Sequence, residues 1–268
     1  MTSERLLFDV PGPKARRRTI IWSIISVIGI VAVIAAMLVQ LARNDQMQPE
    51  QWHLFIERTA LKFLGEGLLN TLKAAFAAGL IALPIAIIAA AARMSTHRTQ
   101  RAVATVYIEV MRAIPVLLLI YVFVLLLPNY GIRISLFWQL AIPLVFTNSA
   151  ALAEIFRSGI NALEFGQSEA AYAIGLTRGQ AMRYVLVPQA VRHVLPSLVS
   201  QMIYLFKGTT LGYVVSYTEL LQQGKIYAEA FHVLLQTYVV IAFIYVVINA
   251  SLAKLARVVD DRQRRVPS

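Results

Sequence analysis

Lys207 lies inside an apolar stretch and opens the run Lys207-Gly208-Thr209-Thr210, a cation followed by bare backbone and two hydroxyls. No acidic residue stands within a helical turn of it. Such a set can receive an anionic carboxylate through charge-assisted hydrogen bonds. Three further ionisable residues fall within apolar segments: Glu109 and Arg112 in one, Glu154 in another. An ionised group near the bilayer centre costs about 2.5–3.5 kcal/mol on insertion scales, so each should face a cavity or a partner. Glu109 and Arg112 are three apart and can pair on one helix face, and Glu154 with Arg157 repeats the spacing. Lys73 adds a cation that can also snorkel toward an interface. The expected chemistry is passage of a small anion, with Lys207, Thr209 and Thr210 on one side and Arg112 and Asn148 opposite. Gly208 and Gly212, four residues apart, permit close helix approach and give the same run a competing structural role.

Covalent chemistry is poorly served. The chain has no cysteine, which removes thiolate nucleophiles, thiolate metal sites and disulfides. It contains no GxxxxGK[ST], HExxH or GxSxG, so neither a phosphate-cradling loop, a zinc helix nor a nucleophile elbow is present. Its four histidines, His53, His97, His193 and His232, are scattered. No catalytic constellation emerges, and the chain is not expected to be an enzyme by itself.

The elements that must carry these residues are membrane helices. With 58% hydrophobic and 15% charged residues, the composition excludes an ordinary soluble domain. The net charge of +11 forms no basic patch with interleaved aromatics, so topology accounts for it better than nucleic acid does. Six segments are long enough to span, at 19–41, 67–92, 103–127, 135–156, 191–215 and 232–254. The first follows Lys14-Ala15-Arg16-Arg17-Arg18 but is too long for a signal peptide and reads as a retained anchor. With the N-terminus inside, seventeen Lys and Arg residues fall on the cytoplasmic side and five outside, which favours an N-in, C-in orientation. Spans two to five each contain a proline (Pro84, Pro115, Pro143, Pro196), the first and last none. Four bent helices between two straight ones are expected to form a core with a peripheral belt. Trp52, Phe55, Ile56, Ala60 and Phe63 recur at helical spacing in the 42–66 connector, as in an interfacial helix. Residues 216–231 read either as an external docking surface or as a solvated connector.

Between the fourth and fifth spans the chain reads EFGQSEAAYAIGLTRGQAMRYVLVPQAVR from Glu164 to Arg192. Ser168 suits an N-cap, Gly175 a helix end, and Thr177 the cap of a second helix. Ala170, Ala171, Ala173, Ile174 and Ala181 offer a small, smooth surface. The order EAA, three residues, Gly, nine residues, then Val-x-Val-Pro resembles the EAA loop of importer-type ABC transporter permeases. GLLNTLK (67–73) and NSAALAEIFRSGI (148–160) resemble the polar amino-acid uptake subgroup, histidine, glutamate and glutamine permeases among them. The N-terminal LLFDVPGPKARRR and the extra first span are similar to actinobacterial glutamate permeases.

That resemblance implies an all-α polytopic protein with a type I ABC importer permease fold. It implies that Glu169, Ala170, Ala171, Gly175 and Pro188 contact a cleft on a separate ABC ATPase, which would hold ATP and Mg, with no cofactor on this chain. The remaining implied partners are an identical or homologous permease subunit, an extracellular substrate-binding protein and membrane lipid, and no nucleic acid. The expected division is a basic N-tail at 1–18, an extra helix at 19–41, an external connector at 42–66, a permease domain at 67–258 with its coupling loop at 157–190, and a C-tail at 259–268. Cargo is expected to be a polar amino acid, glutamate or glutamine foremost. The subgroup's Arg-Gly-Thr-Pro is here Arg112-Ala113-Ile114-Pro115, and its Lys-Asp-Thr-Ser is Lys207-Gly208-Thr209-Thr210, so the intramembrane residues depart where substrate choice is set. An ion-coupled secondary transporter is the alternative, although the chain lacks the internal symmetry common in that class; a membrane scaffold that only recruits partners is a third.

Overall fold

The structure, a computed structural model, describes residues 12–163 and 165–264. The expected N-tail thus lies mostly outside the described residues, as does Glu164. Residues Met1–Phe55 and Ile56–Ser268 form two compact units. In the first, α1 (Pro13–Arg43) begins with proline in its opening turn, where the missing N–H costs nothing, and ends on Arg43. Its residues are apolar on every side from Ile20 to Val39, the mark of a helix solvated by lipid. A short α2 (Pro49–His53) follows, continued by a 3-10 turn at Leu54–Ile56.

The second unit is built on α3 (Arg58–Arg93) and α6 (Leu136–Asn161). α3 reaches back to Arg58, so Ala60 and Phe63 belong to this long helix and share no interfacial helix with Trp52. Glu57 is extended and breaks the chain between the two. At 36 residues α3 is roughly 54 Å long, well beyond one bilayer core. Its inward stripe is almost wholly small: Ala74, Ala78, Ala82, Ala86, Ala89 and Ala90 pack against Leu140, Leu144, Val145 and Leu152 of α6 in one core. Pro84 and Pro143 lie within continuous helices.

Pro115 behaves differently. It follows Ile114, which is extended at φ −77°, ψ 124°, as the residue before proline tends to be. The expected third span is therefore two pieces, α4 (Arg98–Ala113) and a second beginning with α5 (Val116–Tyr121), bent by 96°. Past α5 the chain widens into a π turn at Val122–Leu126 before Pro128.

After α6 come α7 (Phe165–Ala173), α8 (Arg178–Ala181), a π turn at Met182–Leu186 and α9 (Val187–Gly208), which runs on as a 3-10 turn at Thr209–Val215. Then α10 (Leu220–Phe231) and α11 (Leu234–Arg264) close the chain. Residues 216–231 are not a solvated connector, since Leu220, Gln223, Gly224, Tyr227 and Ala228 of α10 are buried.

Among the described residues four helices are long and apolar enough to cross a membrane: Lys14–Arg43, Arg58–Arg93, Leu136–Asn161 and Leu234–Lys254, with the bent pair Arg98–Ala113 and Val116–Tyr130 as a fifth candidate. The expected span at 191–215 is not among them. α9 carries Arg192, His193, Gln201 and Lys207 and loses its α-helical form at Thr209.

Candidate functional site: the helical loop and the charged cluster above it

Between α7 and α8 two capping devices meet. Gly175 adopts φ +86°, its N–H donates to the Tyr172 carbonyl at 2.9 Å, and the Leu176 N–H donates to the Ala171 carbonyl at 3.1 Å. This is a Schellman ending, which glycine enters without steric cost. Two residues on, Thr177 caps α8 in a reciprocal box: its Oγ1 accepts from the Gln180 N–H while Gln180 Oε1 accepts from the Thr177 N–H at 2.8 Å. Both helix ends are thus closed by their own hydrogen bonds, and the loop is a stiff piece rather than a tether. Pro188 completes it. Lacking an N–H, it leaves the Tyr184 carbonyl without its i+4 donor, and the ladder widens so that the Val187 N–H reaches the Met182 carbonyl.

Of the residues expected to contact an ATPase, Glu169, Ala170, Gly175 and Pro188 are exposed, but Ala171 is buried. Ala181, expected on the same smooth surface, is also fully buried. Their methyl groups let α7 and α8 close on the π turn, so they set the loop's shape. The large apolar side chains exposed on the described part of the loop are Tyr172, Ile174 and Tyr184; Ile174 is 77% exposed. Ser168 lies within α7, which already runs from Phe165, and is no N-cap. Gln189 Nε2 donates to Gln167 Oε1 at 3.0 Å and ties α7 to α9.

Above the loop sits an ion cluster. Arg93, the last residue of α3, reaches Glu109 of α4 at 3.0 Å and Glu154 of α6 at 3.1 Å. Glu154 also accepts from Arg157 Nε at 3.1 Å. The expected Glu154–Arg157 pair therefore forms, whereas Glu109 pairs with Arg93 in place of Arg112, because the α3–α4 turn brings the guanidinium to its carboxylate. Arg178, first residue of α8, donates to the Met94 carbonyl at 3.2 Å, next to this cluster. Arg93→Met is expected to leave two carboxylates facing each other and to destabilise the unit by about 2 kcal/mol, discounted because Glu109 is exposed. Thermal unfolding in detergent should show the loss, with Arg93→Lys recovering only part of it, since a point charge cannot fork to both partners.

Close by, at the same end of α4 and near the middle of α6, lies a cavity of about 340 Å³ at the Pro115 break, lined by Arg112, Thr147, Gln201 and Tyr204 among others. Asn148 stands directly behind it, buried, donating to the Leu144 carbonyl at 2.8 Å and accepting from Gln201 Nε2 at 2.7 Å. Arg112 and Asn148 are thus brought to one place. The other expected path residues are not: Lys207 is exposed and does not line this cavity, and Thr209 is buried with its hydroxyl donating to the Phe206 carbonyl at 2.7 Å. Thr210 donates likewise to the Lys207 carbonyl at 2.7 Å. Both hydroxyls are spent within the helix. Gly208 and Gly212 admit Leu144 and Leu140 of α6, so the glycine pair serves packing within the chain. Gln201 and Tyr204 escape the sequence reading, though a lone glutamine amid Met202, Ile203 and Leu205 was a visible signal.

A second buried polar site lies between α9 and α11. Glu219 caps α10, accepting from the Leu221 and Gln222 N–H groups at 2.9 and 2.8 Å and from Tyr245 Oη at 3.2 Å. Burial pushes its carboxyl up to about 7 against these hydrogen bonds. Burial also raises the neighbouring Tyr217 hydroxyl, and the Glu219 charge adds to that.

Known proteins place this arrangement. Residues 82–265 match the family described as binding-protein-dependent transport system inner membrane component. The chain is similar to the glutamate transport system permease protein GluD of Corynebacterium glutamicum, 36% identical over 84% of each chain. It is also similar to the probable glutamine ABC transporter permease protein GlnM of Bacillus subtilis, 32% identical over 70% of this chain and 87% of that one. Among solved structures, that of an amino acid ABC transporter with histidines superposes with a TM-score of 0.74 at 33% identity, over 76% of this chain and 95% of that one. A methionine transporter, MetNI, follows at a TM-score of 0.61 and 20% identity, a likeness of fold. The chain belongs to the family of binding-protein-dependent transport system inner membrane components.

Proposed function

We propose that this chain is the permease subunit of an ATP-driven importer of polar amino acids, with glutamate the foremost cargo and glutamine next. The observation that carries the reading is the doubly capped loop at Phe165–Leu186, rigid in itself and presenting Glu169, Ala170, Tyr172, Ile174 and Gly175 outward. Relatives named for glutamate and glutamine transport support the cargo class. In this reading ATP and Mg bind to a separate ATPase whose cleft receives the loop. A second permease subunit, identical or homologous, completes the path, and an extracellular binding protein delivers substrate. The topology is six spans with both termini inside, the α9 segment counting as a span although Arg192, His193, Gln201 and Lys207 disqualify it by composition. ATP and the loaded binding protein must together favour one conformer over the other for the cycle to turn.

For the path itself, Arg112 and the Asn148–Gln201 pair form the anion-receiving end at the Pro115 cavity, and exposed Lys207 lies further along α9. Glutamate uptake by the reconstituted complex distinguishes their roles. Arg112→Gln is expected to raise the substrate concentration for half-maximal uptake by about tenfold, the loss of one charge-assisted contact. Lys207→Met should lower uptake by about threefold at low substrate. Unchanged uptake in both variants would remove these residues from the path. Uptake in vesicles without any ATPase would favour the ion-coupled alternative.

A further inference from the structure

Two cavities share a wall at the loop end of the second unit. One is an apolar groove of about 880 Å³, lined by Ile87, Ala91, Phe156, Ile160, Val187 and Val191 among others. The other is a polar pocket of about 450 Å³ holding four guanidinium groups, Arg93, Arg101, Arg157 and Arg178, with Thr105 and Asn161 between them. Met94, Ser95, Thr96, Ile160, Arg178 and Met182 line both. Arg93 and Arg157 are engaged by Glu109 and Glu154. Arg101 and Arg178 have no carboxylate partner among the described residues, so the pocket keeps a surplus of positive charge.

We infer that these joined cavities bind one anionic glycerophospholipid, an acyl chain in the groove and the phosphate on Arg101 and Arg178. A free anion would need only the polar pocket, and an apolar peptide segment only the groove. A single ligand that is apolar along its length and anionic at one end uses both. The groove is also walled by α3, α4, α6, α8, α9 and the π turn before α9, so it is a slot between helices, unlike the outer face of a single span. Basic pockets between membrane helices are a recurrent form of headgroup recognition. Arg178 and Met182 belong to the helical loop, so the bound lipid braces the loop against the ends of α3 and α6. The inference stands whatever the cargo of the transporter.

The test uses the full chain reconstituted in bilayer discs of equal phosphatidylglycerol and phosphatidylcholine, with retained lipid counted by mass spectrometry after detergent extraction. The chain should retain phosphatidylglycerol over phosphatidylcholine. Arg101→Gln should lower that retention about fivefold to tenfold, while Arg101→Lys keeps it within about threefold of the parent. Ala91→Trp, which fills the groove and leaves the pocket intact, should lower it as much. Equal retention of the two lipids, or indifference to both Arg101→Gln and Ala91→Trp, overturns the inference. So does full displacement of phosphatidylglycerol by inorganic phosphate, which would make the pocket a free-anion site. Crosslinks that place a second copy of the chain in the groove, with no retained lipid, overturn it as well.

Discussion

Gly175→Val is expected to cut substrate-stimulated ATP hydrolysis by the assembled transporter at least tenfold, with co-purification of the ATPase reduced in parallel. A Cβ at position 175 would meet nothing within 4 Å, so the effect arises from the backbone alone. At φ +86° a β-branched residue is strained by about 1–2 kcal/mol, and the Schellman hydrogen bonds of Gly175 and Leu176 hold that angle. Relief of the strain rotates α8 away from α7 and spoils the loop's fixed outline. Asparagine tolerates the left-handed region, so Gly175→Asn should retain activity within about threefold. The thermal midpoint should move little in either variant. If valine and asparagine behave alike, the conformation of Gly175 is irrelevant to coupling.

Replacement of Glu219 should expose a titration that the connector between α9 and α11 carries. A carboxyl raised from 4.5 to about 7 holds its proton in the folded chain at pH values where the unfolded chain has released it. The contribution to stability is therefore greatest below about pH 4.5, declines as pH rises toward 7, and is level above that. Glu219→Gln mimics the protonated form. It is expected to match the parent near pH 4.5 and to exceed it by roughly 1–3 kcal/mol at pH 8, below the full linkage value because the amide brings a donor to Leu221, Gln222 and Tyr245, which already donate. Glu219→Leu removes the cap itself and should cost about 1–2 kcal/mol at acid pH as well. Thermal unfolding of the purified protein at the two pH values checks both. A difference between Glu219→Gln and the parent that is independent of pH would mean that the carboxyl titrates at its ordinary value.

The loop was the most legible part of the chain, because its signals are local. Gly175 and Thr177 act on hydrogen bonds within a few residues, and both do what their types imply. Ala171 and Ala181 were misplaced for the converse reason: a methyl group suits a contact surface and a close-packed seam equally, and only the tertiary arrangement decides. The same holds for Glu109. Its neighbour Arg112 was visible at three residues, whereas its actual partner Arg93 lies across a turn whose direction no periodicity states. Prolines divided along similar lines. Pro115 breaks its helix and Pro84 does not, although both are single prolines in apolar runs, since α3 is held on both sides of Pro84 by packing against α6. Apolar helices at 67–92 and 135–156 were plain from composition, and α9 was the hardest to judge because Arg192, His193, Gln201 and Lys207 interrupt its apolar run.

The alanine stripe of α3 has a mechanical consequence. Ala74, Ala78, Ala82, Ala86, Ala89 and Ala90 face α6 with side chains that possess no rotamers. Where large side chains interlock, one helix can move along another only by repacking each of them, and the contact behaves as a ratchet with discrete stops. A methyl-lined face has shallow ridges, so α6 and the Arg112–Asn148 cavity it helps to wall can shift along α3 without a change of side-chain state on the α3 side. Arg93 stands at the end of that track, joined to α6 through Glu154. The pair of helices is a slide bearing with an electrostatic end-stop beside the loop.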